Sequence, residues 1–198
     1  MTKNQAETIL FWLVSKRNYM RKTLLILIIF LVFVLITNAQ SYLGYITKQV
    51  NFRTEANTNC KVINSLPRGT ALFVVSKEKV NGFYQVLNIE TNKEGFVHSS
   101  FVQLDRMLPK NEGGIFTPVG KTNSTKPTMN IYNNTSLTLT LKMNDQLHSF
   151  SPQQRKVLTL NSGSYSYRAS APGVIPDYGN EIIKSNYEYE WRFYISSR

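Results

Sequence analysis

From Gln40 onward the apolar positions recur with period two, and no amphipathic helical pattern runs longer than about two turns. The clearest instance is Tyr187-Glu188-Tyr189-Glu190-Trp191-Arg192-Phe193-Tyr194-Ile195, where aromatic and charged residues take turns. Alternation with β-branched and aromatic enrichment predicts half-buried strands. Punctuation by Gly, Pro, Asn and Asp keeps those strands short, so the pattern predicts an all-β fold. A composition break over 106–128, with Pro109, Gly113, Gly114, Pro118, Gly120 and Pro127, reads as a linker plus the start of a second module. The division is therefore 43–105, a first small barrel, and 129–198, a small antiparallel β-sandwich.

The N-terminus follows a different pattern. Residues 24–36 are uninterrupted apolar positions, preceded by Arg21 and Lys22 and followed by Thr37-Asn38-Ala39. A positive flank, a short apolar core and small residues at its end are the order of a secretory signal over 1–39, cut between Ala39 and Gln40. Met20 as the true start would give it ordinary length. The alternative is an uncleaved helical anchor. Thr23 to Ala39 stands at the short edge of what spans a bilayer, and any membrane contact would then run through 24–36 alone. Both readings put the remainder outside the cytoplasm, because the basic flank stays inside. Periplasm, cell surface and secretion stay open, with a single-pass inner-membrane anchor as the alternative.

In the first module the predicted strands are Val50–Arg53, Ala71–Lys77, Phe83–Leu87, Glu94–His98 and Val102–Leu104. Leu66-Pro67-Arg68-Gly69-Thr70 is a turn and Asn81-Gly82 a tight hairpin signal. Five landmarks stand in order: Val50-Asn51-Phe52-Arg53, Cys60-Lys61-Val62-Ile63, Leu66–Thr70, Gly82-Phe83-Tyr84-Gln85-Val86 and Glu94-Gly95-Phe96-Val97-His98-Ser99-Ser100-Phe101-Val102. Together they resemble a bacterial SH3 (SH3b) domain over about a third of the chain. Phe83 and Phe96 depart from that pattern, standing where the family most often has tryptophan. The resemblance implies a binding module of exported proteins, recognising cell-wall peptide or another protein. It further implies a groove beside the loop after the first conserved strand, with Asn51, Arg53, Glu55 and Asn57 on that loop and Tyr84 and Phe101 as aromatic wall. Phe52, Phe83, Phe96 and Val97 are expected in the core.

The second module has strand patterns at Met129–Tyr132, Leu137–Met143, Leu147–Phe150, Lys156–Leu160, Ser164–Ser170 and Tyr187–Ile195, with turns at Asn144-Asp145 and Asn161-Ser162-Gly163. On the last strand, alternation puts Tyr187, Tyr189, Trp191 and Phe193 on one face, read as core, and Tyr194 on the other. A long connection, Ala171–Asn180, precedes it. Loops of that length are often functional, and Asp177, Tyr178 and Asn180 there form a candidate glycan or partner site, the tyrosine stacking on sugar and the polar pair bonding hydroxyls.

Composition narrows the chemistry. A hydrophobic fraction of 42% in 198 residues excludes wholesale disorder. One cysteine, Cys60, excludes a disulfide framework and a Cys-only zinc site, and two histidines, His98 and His148, exclude a three-His metal centre. The net charge of +11 is uneven, since residues 106–160 hold seven basic and two acidic groups. Such a stretch attracts anionic wall polymer without specificity. With no run of consecutive Lys/Arg and no nucleic-acid motif, nucleic-acid binding is not expected. Cys60 and His98 are both consumed by the barrel pattern, Gly163–Tyr167 misses the nucleophile-elbow spacing, and Glu188 and Glu190 read as a solvated face. The expectation is a non-enzyme without cofactor or metal that binds peptidoglycan or an envelope protein. The rival reading is a scaffold whose sandwich carries the contacts, accessory to a separate hydrolase.

Overall fold

The computed structural model describes residues 40–195; the expected N-terminal helix and Ala39 of the cleavage site lie outside the described residues. All regular structure described is β apart from one 3-10 turn, so no described helix is long and apolar enough to cross a membrane.

The first module is a seven-stranded sheet, β1 (Tyr42–Ile46), β2 (Val50–Arg53), β3 (Val62–Leu66), β4 (Ala71–Val74), β5 (Phe83–Asn88), β6 (Lys93–His98) and β7 (Val102–Met107), ordered β3-β2-β6-β5-β4-β1-β7. The turn η1 (Ser99–Phe101) sits between β6 and β7. Asn81 and Gly82 both take positive φ, 50° and 83°, which is the backbone a two-residue hairpin between right-twisted strands requires. Gly95 serves a close crossing: a Cβ there would stand 2.5 Å from the Arg53 carbonyl oxygen and from the Phe52 ring. Ile46, Phe52, Leu66, Leu72, Val74, Tyr84, Val86 and Val97 form the barrel core.

The second module pairs two four-stranded sheets. One runs β11 (Gln146–Phe150), β10 (Leu139–Met143), β13 (Gly163–Ser170), β14 (Asp177–Ile183); the other β12 (Arg155–Thr159), β9 (Thr128–Asn133), β15 (Tyr187–Phe193), β8 (Thr117–Lys121). Leu139, Leu141, Met143, Tyr167 and Ile183 of the first sheet meet Met129, Ile131, Tyr189 and Phe193 of the second in one core, which makes it a sandwich. Trp191 and Tyr187 pack against that core while Tyr194 is exposed, as alternation predicts. Every pairing between two of these described strands is antiparallel except β9 with β15, which run parallel in register Glu188↔Thr128 to Phe193↔Asn133.

Three expectations need correction. The stretch 106–128 is no free linker: β7 runs on to Met107, Leu108 is buried, Asn111 bridges to Gly179, and β8 pairs with β15. Glu181 fastens this strap, accepting the amide hydrogens of Ile115 at 2.7 Å and Phe116 at 3.0 Å. The connection read as Ala171–Asn180 is shorter, because β14 starts at Asp177 and pairs along β13 from Ala169↔Asp177 to Gly163↔Ile183. Finally, two strands outside the predicted ones are present: β1 lies between β4 and β7, and β3 pairs with β2.

The barrel and sandwich share a third apolar cluster. Leu43, Phe73, Leu87 and Ile89 from the barrel meet Leu108 of the strap and Tyr178 of β14. Leu72, Val74 and Val86 point into the barrel, so Phe73 and Leu87 project from its outer face. Covering each such side chain is worth about 1.5–3 kcal/mol relative to exposure. Runs such as Ala71-Leu72-Phe73-Val74, apolar at every position, are the sequence signature of a strand covered on both faces. Around the cluster, Glu94 receives Lys142 at 3.1 Å and also Arg168. Burial works to raise the Glu94 carboxyl, but the charges and hydrogen bonds of Arg168 and Lys142 outweigh it and hold the group below the ordinary carboxylate range. A carboxyl lowered in the folded state contributes stability above its unfolded value, and that stability is lost as pH falls through the folded value. Unfolding followed by denaturant between about pH 6 and pH 3 therefore shows a falling contribution that Glu94→Gln lacks; identical pH profiles would remove Glu94 from the module contact.

Candidate functional site

The barrel carries a shallow groove of about 670 Å³ on the side of β2, β3 and η1. Phe52 points inward on β2, so Asn51 and Arg53 face out on either side of it. Val97 does the same on β6 and leaves His98 outside. His98 then builds the groove's end: its Nδ1 lies 2.8 Å from Ser100 Oγ and accepts the Ser100 amide hydrogen, which fixes η1. Its ring stands edge-on to Phe83 at 5.2 Å and to Phe101 at 6.0 Å, an aromatic row along the groove. Lys48 Nζ lies 4.9 Å from the Phe101 ring centroid, within range of a cation–π attraction.

Asn51, Arg53 and Phe101 line this groove as the resemblance implies, and Gln49, Thr58, Ser65, His98 and Ser100 join them. The lining holds amide, hydroxyl and guanidinium donors and no carboxylate, so it suits a ligand rich in acceptors, such as peptide carbonyls or carboxylates. Arg53 is partly committed, donating from Nη1 to the Cys60 carbonyl at 3.0 Å and bracing the loop between β2 and β3. Glu55 and Asn57 are exposed on that loop but do not line the groove. Their backbone carbonyls accept from the Cys60 thiol, and Asn57 Oδ1 accepts the Asn59 amide hydrogen. Tyr84 is not an aromatic wall. It lies 8% exposed in the barrel core, because β5 turns Tyr84 and Val86 to the same inner face. His98 and Ser100 are where the wall was to be found; the alternation around Val97 is the signal that points to them.

The second candidate site does not assemble. Tyr178 is buried against Phe73, ring centroids 5.5 Å apart and nearly perpendicular. Its hydroxyl donates to the Leu108 carbonyl at 2.8 Å and accepts from Gln40 Nε2 at 2.7 Å and the Ser41 amide at 3.2 Å. No face is left for a sugar ring. Asp177 and Asn180 are exposed at β14, and Asp177 Oδ2 accepts from Asn111 and from Tyr167. Burial raises the Asp177 carboxyl, and those hydrogen bonds work against the shift. The tyrosine was legible as special; that it faces the barrel was not. Among the described residues no group of three or more His, Cys, Asp or Glu is placed to hold a metal.

No curated protein and no solved structure matches the chain. A family model does match: the bacterial SH3 domain, over residues 48–103. Those bounds take in β2 to the start of β7, including every residue of the groove described above, and do not extend into the sandwich. Residues 48–103, the greater part of the barrel, thus match the bacterial SH3 domain.

Proposed function

We propose that the chain is a non-catalytic binding protein of the bacterial envelope, and that its SH3 barrel takes cell-wall peptide through the groove between β2 and η1. The observation that carries this reading is the groove itself: donors from Gln49, Asn51, Thr58, Ser65 and Ser100 around an aromatic row, with no acidic lining residue. A peptide of wall type offers carbonyl and carboxylate acceptors to those donors and aliphatic side chains to Phe101. Export of the chain through residues 1–39 is part of the same reading. Its alternative is a protein partner at the same groove.

The test is co-sedimentation of the protein with insoluble peptidoglycan at about 50 and about 500 mM salt, conditions that differ several-fold in screening length. Retention at both, weakened by Asn51→Ala with the fold intact, is the expected result. Asn51 is exposed, so its truncation leaves the barrel core untouched. Retention at low salt alone would reduce the interaction to the basic surface. No retention would move the search to a protein ligand.

A further inference from the structure

A larger cleft, about 1870 Å³, opens in the second module between the strap, the turn Gly173–Asp177 and the C-terminal end of β15. One of its walls is a strand edge. β8 accompanies β15 only as far as Glu190↔Thr117; before Thr117 the chain departs toward the opposite sheet, where Glu181 holds the Ile115 and Phe116 amides. On its other flank β15 stays paired with β9 to Phe193, whose carbonyl accepts from the amide of Asn134. Backbone groups of successive strand residues turn to opposite flanks. Phe193 therefore spends its groups on β9, and Arg192 presents its N–H and C=O to the flank β8 has left. Among the described residues no strand fills that flank.

Charge says what would fit there. Arg155 and Arg192 pair in register with Tyr132 from either side, and their guanidinium carbons lie 4.1 and 5.5 Å from its ring centroid. The ring holds both cations in place, with its hydroxyl donating to Gln153 at 2.6 Å. Neither arginine has a carboxylate partner among the described residues. Five cationic side chains, these two included, line the cleft against two carboxylates, Asp177 and Glu190, and Asp177 is already bonded to Asn111 and Tyr167. An open edge invites pairing, and charge decides with what.

We propose that this cleft takes an extended acidic segment of a partner protein, added as a strand beside β15 beyond Glu190. Main-chain bonds to Arg192 supply the register, and acidic side chains meet the arginines, the division of labour of strand addition. The probe is a fluorescent peptide alternating glutamate with valine, titrated into the full chain and followed by anisotropy. Two controls accompany it: the same peptide with lysine for glutamate, and a glutamate–valine peptide N-methylated along one edge. Tight binding of the first is expected, with both controls weaker by about tenfold or more, the equivalent of one or two lost hydrogen bonds. Arg192→Gln, which keeps the strand and its N–H, weakens the acidic peptide, and peptide addition slows hydrogen exchange at the Arg192 amide. Equal binding of the N-methylated peptide would overturn the proposal in favour of charge adsorption, and so would binding of the lysine peptide or no binding at all.

Discussion

Replacing Tyr178 with alanine is expected to lower the unfolding free energy by about 3–5 kcal/mol, the range for removing a large buried aromatic. The ring packs edge-on against Phe73, and its hydroxyl joins Gln40, Ser41 and Leu108 in one buried network. Tyr178→Phe separates the two contributions: it keeps the ring and removes the acceptor of the Ser41 amide, while the Leu108 carbonyl keeps Gln40 Nε2 as a donor, at about 1–3 kcal/mol. The cluster also joins barrel to sandwich. Loss of Tyr178 therefore uncouples them, and urea unfolding followed by Trp191 fluorescence, with Trp12→Phe to silence the second tryptophan, and by far-UV dichroism ceases to coincide. A single coincident transition of unchanged midpoint in Tyr178→Ala would show that the two modules are held by something other than this contact.

The second large effect lies at Glu181. A buried carboxylate that accepts two amide hydrogens makes charge-assisted bonds, each stronger than a neutral pair. Glu181→Ala leaves both strap amides without that partner, and about 3 kcal/mol is expected from two such losses. Glu181→Gln keeps an acceptor oxygen and recovers part of it. Beyond global stability, the readout is local: hydrogen exchange at Ile115 and Phe116 accelerates before the core strands β9 and β13 change. Unaltered exchange at those two amides would mean that β8 pairing alone holds the strap. The same substitution bears on the cleft beside β15, since it is Glu181 that draws the chain away from that strand.

The groove of the barrel was partly legible. Strand alternation and the turn chemistry of Asn81-Gly82 are local properties, and they put Phe52 and Val97 inside and Asn51 and Arg53 outside; Phe83 and Phe96, also expected in the core, stand outside the barrel cluster, Phe83 lining the groove and Phe96 half-buried on the face of β6 opposite Val97. Tyr84 misled because a tyrosine in an alternating strand has no sequence mark for which face is inner; the choice follows from register, and a one-residue shift reverses it. His98 gave a mark that only the fold makes useful, since Ser100 and Phe83 come to it through η1 and the β5–β6 pairing.

By itself the sequence determined the all-β class, five of the seven strands of the barrel with its turns, most strands of the second module and the aromatic core face of β15. All of these rest on interactions between residues near in the chain: side-chain period, φ preferences of Gly, Pro and Asn, and the burial a pleated strand imposes. Tertiary structure alone decided that 106–128 is a strap, that Tyr178 is an interface anchor, and that β15 loses its neighbour after Glu190. Each depends on a partner tens of residues away, Glu181 for the strap and Phe73 and Leu108 for Tyr178. Nothing local distinguishes a carboxylate that faces water from one that receives two distant amides. The difference is made when the sheets close.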